Sequence, residues 1–264
     1  LTARLIARAG FKAYQIGGFA LAGARYGYPD LDLTHYGEES AGVRDILAAC
    51  SLPVLVDCDD GYGDVKNVTR TVQGYEALGA SALFLEDQLA PKRCGHLAGK
   101  RVIAAEEMVA KVRGAVAGRR RPETFILART DALESSGVDE ALRRGERYLH
   151  AGADGVYVEG PHNLEELQRI GRAFRGVPLA TSVLEGGGKT PWLAPQEYHR
   201  LGFSMLLYPT TVLFRITRAI ERALSDLRAG RPMSEGEAVD LRTFEDIVDL
   251  AFWTHLDETY QSTR

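Results

Sequence analysis

No apolar run in this sequence approaches the ~20 residues a membrane-spanning helix needs, and its opening residues carry no signal-peptide pattern. Cysteine is scarce. Cys50, Cys58 and Cys94 are an odd number without regular spacing, which argues against a secreted disulfide framework. Each is then either a reactive thiol or a small buried apolar residue. Long basic stretches are missing as well: the formal net charge is -4, and the one cluster, Arg119-Arg120-Arg121, reads as a solvated helix end. Nucleic acid and membrane are therefore not expected partners, and the cytoplasm is the expected compartment. What is present is ordinary globular composition, with 45% hydrophobic and 26% charged residues. A chain of 264 residues can bury a core without disulfides and suits one large domain.

Short apolar runs alternate with helical periodicity along the chain. Residues 13–17, 54–59, 82–87, 125–130, 155–159, 179–183 and 205–209 read as buried strands. Residues 65–78, 104–117, 138–151 and 164–174 between them read as helices, and Gly10, Gly79, Gly152 and Gly202 stand where left-handed helix caps belong. Strand and helix in repeated alternation mean a parallel sheet with helices outside, and the expected fold is an α/β TIM (β/α)8 barrel over residues 1–229. Seven strands are visible where eight are needed. Residues 1–10 read as a helix with no strand before it, which puts the expected first strand ahead of Leu1. Gly230-Arg231-Pro232 breaks the pattern, and residues 230–264 form an expected helical extension. Its apolar positions, Phe244, Ile247, Leu250, Ala251 and Trp253, call for a partner surface on this barrel or on a neighbouring subunit.

Barrel enzymes place their chemistry at the C-terminal ends of the strands. Those ends carry Gly17-Gly18, Asp57-Cys58-Asp59-Asp60, Glu86-Asp87, Arg129-Thr130-Asp131, Glu159, and Ser182 with Glu185. Buried carboxylates are costly unless paired or bound to metal, so this accumulation of acids predicts a site rather than packing. Asp57 and Asp59 alternate along a strand, which predicts two carboxylates on one face with Cys58 opposite. With Glu86 and Asp87 near, they form a hard oxygen site suited to Mg²⁺, with Mn²⁺ as an alternative; a His/Cys cluster suited to zinc is lacking. The loop Lys92-Arg93-Cys94-Gly95-His96 surrounds a cysteine with cations, which predicts a lowered thiol pKa and attraction for an acidic substrate. Gly95 and Gly99 suit a lid. Arg129 suits a bidentate grip on a carboxylate, and the backbone N–H groups of Gly17 and Gly18 offer a second grip.

Gly27-Tyr28-Pro29-Asp30, Asp57-Cys58-Asp59-Asp60-Gly61-Tyr62-Gly63, Leu85-Glu86-Asp87-Gln88, Lys92-Arg93-Cys94-Gly95-His96, Ala128-Arg129-Thr130-Asp131, and Glu185-Gly186-Gly187 with Lys189-Thr190-Pro191 together resemble the isocitrate lyase/phosphoenolpyruvate mutase superfamily. The resemblance covers nearly the whole chain and implies a TIM barrel whose C-terminal helix swaps between subunits of a homotetramer. It also implies Mg²⁺ held by Asp57 and Asp59, and a small dicarboxylate or 2-oxo acid as substrate. Carried onto this chain, Tyr14 or Glu86 becomes the candidate base for a 2-hydroxyl, and Cys94 the thiol acid that protonates the departing carbanion. Arg129, Gly95 and His96 would hold carboxylates, with Glu159 and Asp30 orienting ligand or water and Ser182 lining the pocket. The cysteine loop resembles that of the lyases, Glu185-Gly186-Gly187 is similar to the 2,3-dimethylmalate lyase, oxaloacetate hydrolase and carboxyphosphonoenolpyruvate mutase branches, and the stretch Lys189 to Leu193 is similar to carboxyphosphonoenolpyruvate mutase-like members.

Three positions depart from that pattern: Ile16 stands where the family has Ser or Thr, Ser182 where many lyases have Asn, and Gly188 is an insertion. The expected activity is carbon–carbon cleavage of a substituted malate or isocitrate-like 2-hydroxy dicarboxylate. Mutase-type P–C chemistry is the alternative, and a non-catalytic barrel that binds a dicarboxylate is the alternative from a different class.

Overall fold

The computed structural model describes residues 1–261. Helix α1 (Thr2–Arg8) leads into β1 (Tyr14–Ile16), α2 (Gly18–Tyr26), α3 (Tyr36–Leu47), β2 (Val54–Asp57), α4 (Val65–Leu78), β3 (Ala82–Glu86) and α5 (Ala105–Gly118). There follow β4 (Phe125–Thr130), α6 (Ala132–Ser136), α7 (Val138–His150), β5 (Gly155–Val158), α8 (Leu164–Ala173), β6 (Leu179–Ser182), α9 (Pro195–Leu201), β7 (Met205–Leu207), α10 (Thr211–Arg228), α11 (Leu241–Ile247) and α12 (Leu250–Tyr260). All seven strands are parallel and lie side by side in chain order, curving into a nearly closed α/β barrel with helices outside. Among the described residues β1 and β7 form the two edges of the sheet. No helix is long and apolar enough to cross a membrane.

Alternation along the strands sorts the core into two layers. Leu55, Phe84, Leu127, Tyr157, Ala180 and Leu207 point inward and fill the barrel. Val54, Val56, Leu83, Leu85, Ile126 and Ala128 point outward, where the helices cover them. Each Val, Leu, Ile or Phe among them, fully buried, contributes about 1.5–3 kcal/mol of transfer free energy. Helix α7 shows how its sequence serves this layer: Ala141, Arg144, Gly145 and Tyr148 recur at helical spacing and form its buried stripe. Asp64 caps α4 by accepting from Lys66 N at 2.9 Å and Asn67 N at 3.3 Å. The four expected glycine stops all have positive φ, between 87° and 106°.

The inward register positions the site. Asp57 is two residues beyond Leu55, Glu86 beyond Phe84, Arg129 beyond Leu127, Glu159 beyond Tyr157 and Ser182 beyond Ala180. The apolar plug therefore ends one layer below a ring of polar groups at the C-terminal mouth. The C-terminal extension comprises α11 and α12, and residues 262–264 of the extension expected from sequence lie outside the described residues.

Candidate active site

The strand expected over 54–59 stops at Asp57, and Asp59 adopts a left-handed φ of 48°. The acid pair therefore does not share a face by strand alternation. Instead Asp57 Oδ1 accepts from Asp59 N at 3.0 Å, a side-chain turn that folds the second carboxylate back beside the first. Asp57 Oδ2 accepts from Gly18 N, also at 3.0 Å, which anchors it to the start of α2. A Cβ on Gly18 would stand 3.3 Å from Asp59 Oδ1 and 3.5 Å from Asp57 Oδ2, so the two carboxylates and the glycine share one small space. Lys92 Nζ lies 2.5 Å from both Asp59 Oδ1 and Asp30 Oδ1 and ties the cysteine loop to this floor. Burial and the adjacent Asp59 push Asp57 up to about 7, against the pull of Lys92 and Arg129.

Beside the pair stands a second cluster around Arg129. Its Nη1 lies 3.1 Å from Glu86 Oε2, and its Nε and Nη2 donate to Asp131 Oδ2 and Oδ1 at 2.9 and 3.0 Å. Two of the five guanidinium N–H groups thus donate to Asp131 and Nη1 stands in an ion pair with Glu86, which leaves donors for a ligand. Burial raises Glu86 well above the usual carboxylate range despite Arg129. Glu159 goes the other way: burial opposes its charge, but Arg129, His96 and Lys100 together hold it low. Glu159 Oε1 accepts from Ser182 Oγ at 2.9 Å and lies 3.0 Å from His96 Nε2. Lys189 N donates to His96 Nδ1 at 3.1 Å, so the bonding pattern assigns the imidazole proton to Nε2, facing Glu159. Gly95 passes so close that an added Cβ would fall 2.6 Å from Arg129 Nη2 and 2.6 Å from Glu159 Cγ, so no larger residue fits there.

Cys94 is half-buried, with its N–H donating to Asp30 O at 3.2 Å. The lowered thiol pKa expected from its cationic neighbours is overturned. Burial raises it, Asp30 and Glu159 add to the rise, and the His96 backbone and Arg129 offset only part. The loop cations are occupied elsewhere: Lys92 is held by carboxylates and Arg93 Nη1 by Ala98 O at 3.2 Å. At neutral pH this is a thiol, not a thiolate.

The mouth thus gathers Gly18, Asp57, Asp59, Asp30, Glu86, Gly95, His96, Arg129, Glu159, Ser182 and the Cys94 segment, with Gly17 as the residue before α2. Tyr14 is not among them. It pairs in register with Val54 and packs in the outer layer, where burial and Cys50 push its hydroxyl up to about 12. Ile16 pairs with Val56 and faces the same outer layer, so it takes no hydroxyl away from the pocket; Gln15 holds the inward position. Asp87 also leaves the expected oxygen site. It is fully buried on the outer side and accepts from Thr130 Oγ1, Asp131 N, Arg144 Nη1 and Tyr148 Oη at 2.7–3.0 Å, joining β3, β4 and α7. Glu185 is bound by Arg215 at the surface. Asp131 stood at a strand end in the sequence, but its bonds to Arg129 and Lys100 had no local signal; Lys100 likewise sits four residues past His96 with nothing to mark it.

Three buried carboxylate oxygens in the mouth, Asp59 Oδ1, Glu86 Oε1 and Glu159 Oε2, lack a well-formed hydrogen bond, Asp59 Oδ1 having only the close Lys92 ammonium and Glu159 Oε2 only Arg129 Nε at 3.9 Å. No group of three or more His, Cys, Asp or Glu side chains converges as a complete ligand set among the described residues. A hard divalent cation that keeps several waters and binds through one or two carboxylates fits this arrangement; a zinc site would not.

Comparison with known proteins agrees with this geometry. The profile of the family described as phosphoenolpyruvate phosphomutase matches residues 1–228. The chain is 41% identical over 220 residues to 2,3-dimethylmalate lyase of Eubacterium barkeri, which covers 83% of this chain and 75% of that protein. The structure of oxaloacetate acetylhydrolase in complex with the inhibitor 3,3-difluorooxalacetate superposes with a TM-score of 0.91 at 31% identity, covering 97% of this chain and 87% of the other. Phosphonopyruvate hydrolase in complex with oxalate and Mg²⁺ superposes with a TM-score of 0.87 at 26% identity, covering 98% and 90%. The match extends through the barrel, its strand ends and its cysteine loop, and the chain belongs to the phosphoenolpyruvate mutase/isocitrate lyase superfamily.

Proposed function

We propose that this protein is a Mg²⁺-dependent lyase that cleaves the C2–C3 bond of a substituted malate or related 2-hydroxy dicarboxylate, giving a 2-oxo acid and a second carboxylate. The observation that carries the reading is a protonated thiol, Cys94, held on a loop that Lys92 ties to the acid pair. Asp57 and Asp59 are the residues that would hold the cation, which when bound supplies Lewis acidity at the substrate's 2-oxygen and carboxylate. The remaining N–H groups of Arg129 grip a carboxylate, and Gly18 N keeps Asp57 aimed at the ligand. Glu86, buried and proton-seeking, accepts the 2-hydroxyl proton through its unpartnered Oε1. The C2–C3 electron pair leaves with C3 of the departing carboxylate, and the Cys94 thiol protonates that carbon and ends as a thiolate while Glu86 holds the proton of the 2-hydroxyl. His96, Ser182 and Glu159 keep the loop closed over the reacting atoms and exclude water. The kinship with 2,3-dimethylmalate lyase supports the substrate class. The working form on this reading is a homo-oligomer.

The test is 2-oxo acid release from isocitrate, methylisocitrate, 2,3-dimethylmalate and other alkylmalates, and 2-oxo acid loss from oxaloacetate, with and without EDTA. Release that requires Mg²⁺ and falls by about 10²-fold or more in Cys94→Ala, the scale of a lost general acid, supports the reading. Undiminished turnover by Cys94→Ala would sink it. The phosphomutase family profile favours a second reading, P–C bond chemistry. Silence across the panel, with a P–C product from a phosphoenolpyruvate seen by phosphorus NMR, would establish that one instead.

A further inference from the structure

Lys100 follows the cysteine loop, and the reaction scheme above gives it no part. Its side chain is only 1% exposed, and an isolated ammonium at that depth is costly unless fully bonded. The bonds it makes are unlike those of a structural counter-ion. One goes to Gly95 O, the carbonyl of the peptide that joins Gly95 to His96. A second goes to Asp131 Oδ1 at 2.7 Å, and Glu134 Oε2 stands 3.7 Å away. That same Asp131 oxygen accepts from Arg129 Nη2 at 3.0 Å, so one carboxylate oxygen is shared by the lysine and the guanidinium. Asp131 is itself fixed from behind, its N–H donating to the fully buried Asp87 at 2.9 Å. The chain from Asp87 through Asp131 to Lys100 ends on the loop peptide one residue past Cys94. Where that peptide sits, Gly95 already lies against Arg129 and Glu159 with no room for a Cβ. Nothing on the far side of Gly95 offers its carbonyl another partner among the described hydrogen bonds.

We propose that Lys100 is a positioning residue: its ammonium clamps the Gly95–His96 peptide to the Arg129–Asp131 pair and so sets the Cys94 thiol and the carboxylate grip at one fixed separation. A lysine that merely neutralised Asp131 would need only the carboxylate bond. The bond to Gly95 O makes closure of the loop and orientation of Arg129 a single event, because both draw on the same ammonium and the same carboxylate oxygen.

Lys100→Met keeps the apolar stem and removes all three donors, while Lys100→Gln keeps an amide donor without the charge. The first readout is the rate at which iodoacetamide alkylates Cys94, followed by peptide mapping with Mg²⁺ and oxalate present. It needs no turnover, so it is independent of the proposed lyase reaction on which the kinetic arm rests. In Lys100→Met, Cys94 alkylation should rise about tenfold or more, the effect on loop opening of one lost charge-assisted bond. Lys100→Gln should fall between Met and the native protein. The kinetic readout should show kcat down by about 10²-fold with KM moved far less, as expected for a misplaced acid rather than lost binding. Variants that melt with the native protein yet alkylate Cys94 within twofold of the native rate would overturn the proposal. If Lys100→Met does not fold, the Lys100→Gln alkylation rate decides alone by the same criterion.

Discussion

Asp57 and Asp59 meet at the mouth because Asp59 turns back through a left-handed φ of 48° and gives its N–H to Asp57, not because strand residues alternate. Two carboxylates could be named from the sequence; the turn that joins them could not, since a positive φ at an aspartate leaves no pattern in the residues around it. Facing was harder still. The family resemblance makes Tyr14 a candidate base and Ile16 a pocket position, yet the register of β1 against Val54 and Val56 sends both outward. A shift of one residue exchanges the faces of a strand, and only pairing fixes which face wins. Glu39 carries no mark in the sequence, because the acids that act on it, Asp57 and Asp59, come from another strand end. Buried, and bonded by Thr34 Oγ1 at 2.6 Å, it is pushed up to about 7 by burial, with Asp59 and Asp57 adding to the rise. Between its ordinary 4.5 and about 7 the folded chain holds a proton that the unfolded chain has released. The stability so linked is whole below 4.5 and is lost as pH rises through 7. In metal-free protein, Glu39→Gln should therefore gain in urea midpoint over the native chain on going from about pH 5 to about pH 8. A difference between the two that stays flat across that range would refute the assignment.

Between residues and whole molecule stand the helices and strands, and here the sequence was legible where periodicity was strong. All seven strands lie where apolar runs predict them, β4 over its full expected range and the other six trimmed by a residue or two, because the last residues leave the ladder to enter the loops of the site. Helix α2 and helix α3 were not legible. Both carry glycines within them, Gly18 and Gly23 in α2 and Gly37 and Gly42 in α3, and glycine weakens a helical signal by close to 1 kcal/mol per residue. Gly42 is there for contact: a Cβ on it would meet Leu21 at 2.8 Å, so α3 packs on α2 through the missing side chain. The same device joins α8 to α9, where a Cβ on Gly171 would fall 1.7 Å from the Leu201 carbonyl oxygen. An exposed helical glycine changed to alanine gains about 0.5–1 kcal/mol. Gly171→Ala should instead lose about 1–3 kcal/mol, since backbone must move to admit the methyl. Chemical denaturation reads the sign, and a stabilised variant would show that the two helices are not in contact.

For the whole molecule, α10 is the element that does not belong to its own barrel's core. None of its residues is buried, and Phe214, Ile216, Ile220, Leu224 and Leu227 are all at least 41% exposed. Leu250, Phe252 and Trp253 of α12 are exposed as well. Apolar surface so concentrated is of the kind an interface covers, and it supports the proposed oligomer. Light scattering should show more than one chain per particle, and Ile220→Asp with Leu224→Asp should reduce it to a single chain with the barrel intact. A native protein that scatters as one chain would remove the oligomer from the proposal. The strand order has a consequence of another kind. Among the described residues β2 to β6 each lie between their immediate predecessor and successor in the chain, and β1 and β7 each lie beside one such neighbour. During synthesis the sheet can grow from one side only, each new helix and strand settling on the rim left by the last. The row of unsatisfied N–H and C=O groups on that rim then faces open water only until the next strand emerges, which shortens the time in which a nascent chain can pair with a stranger.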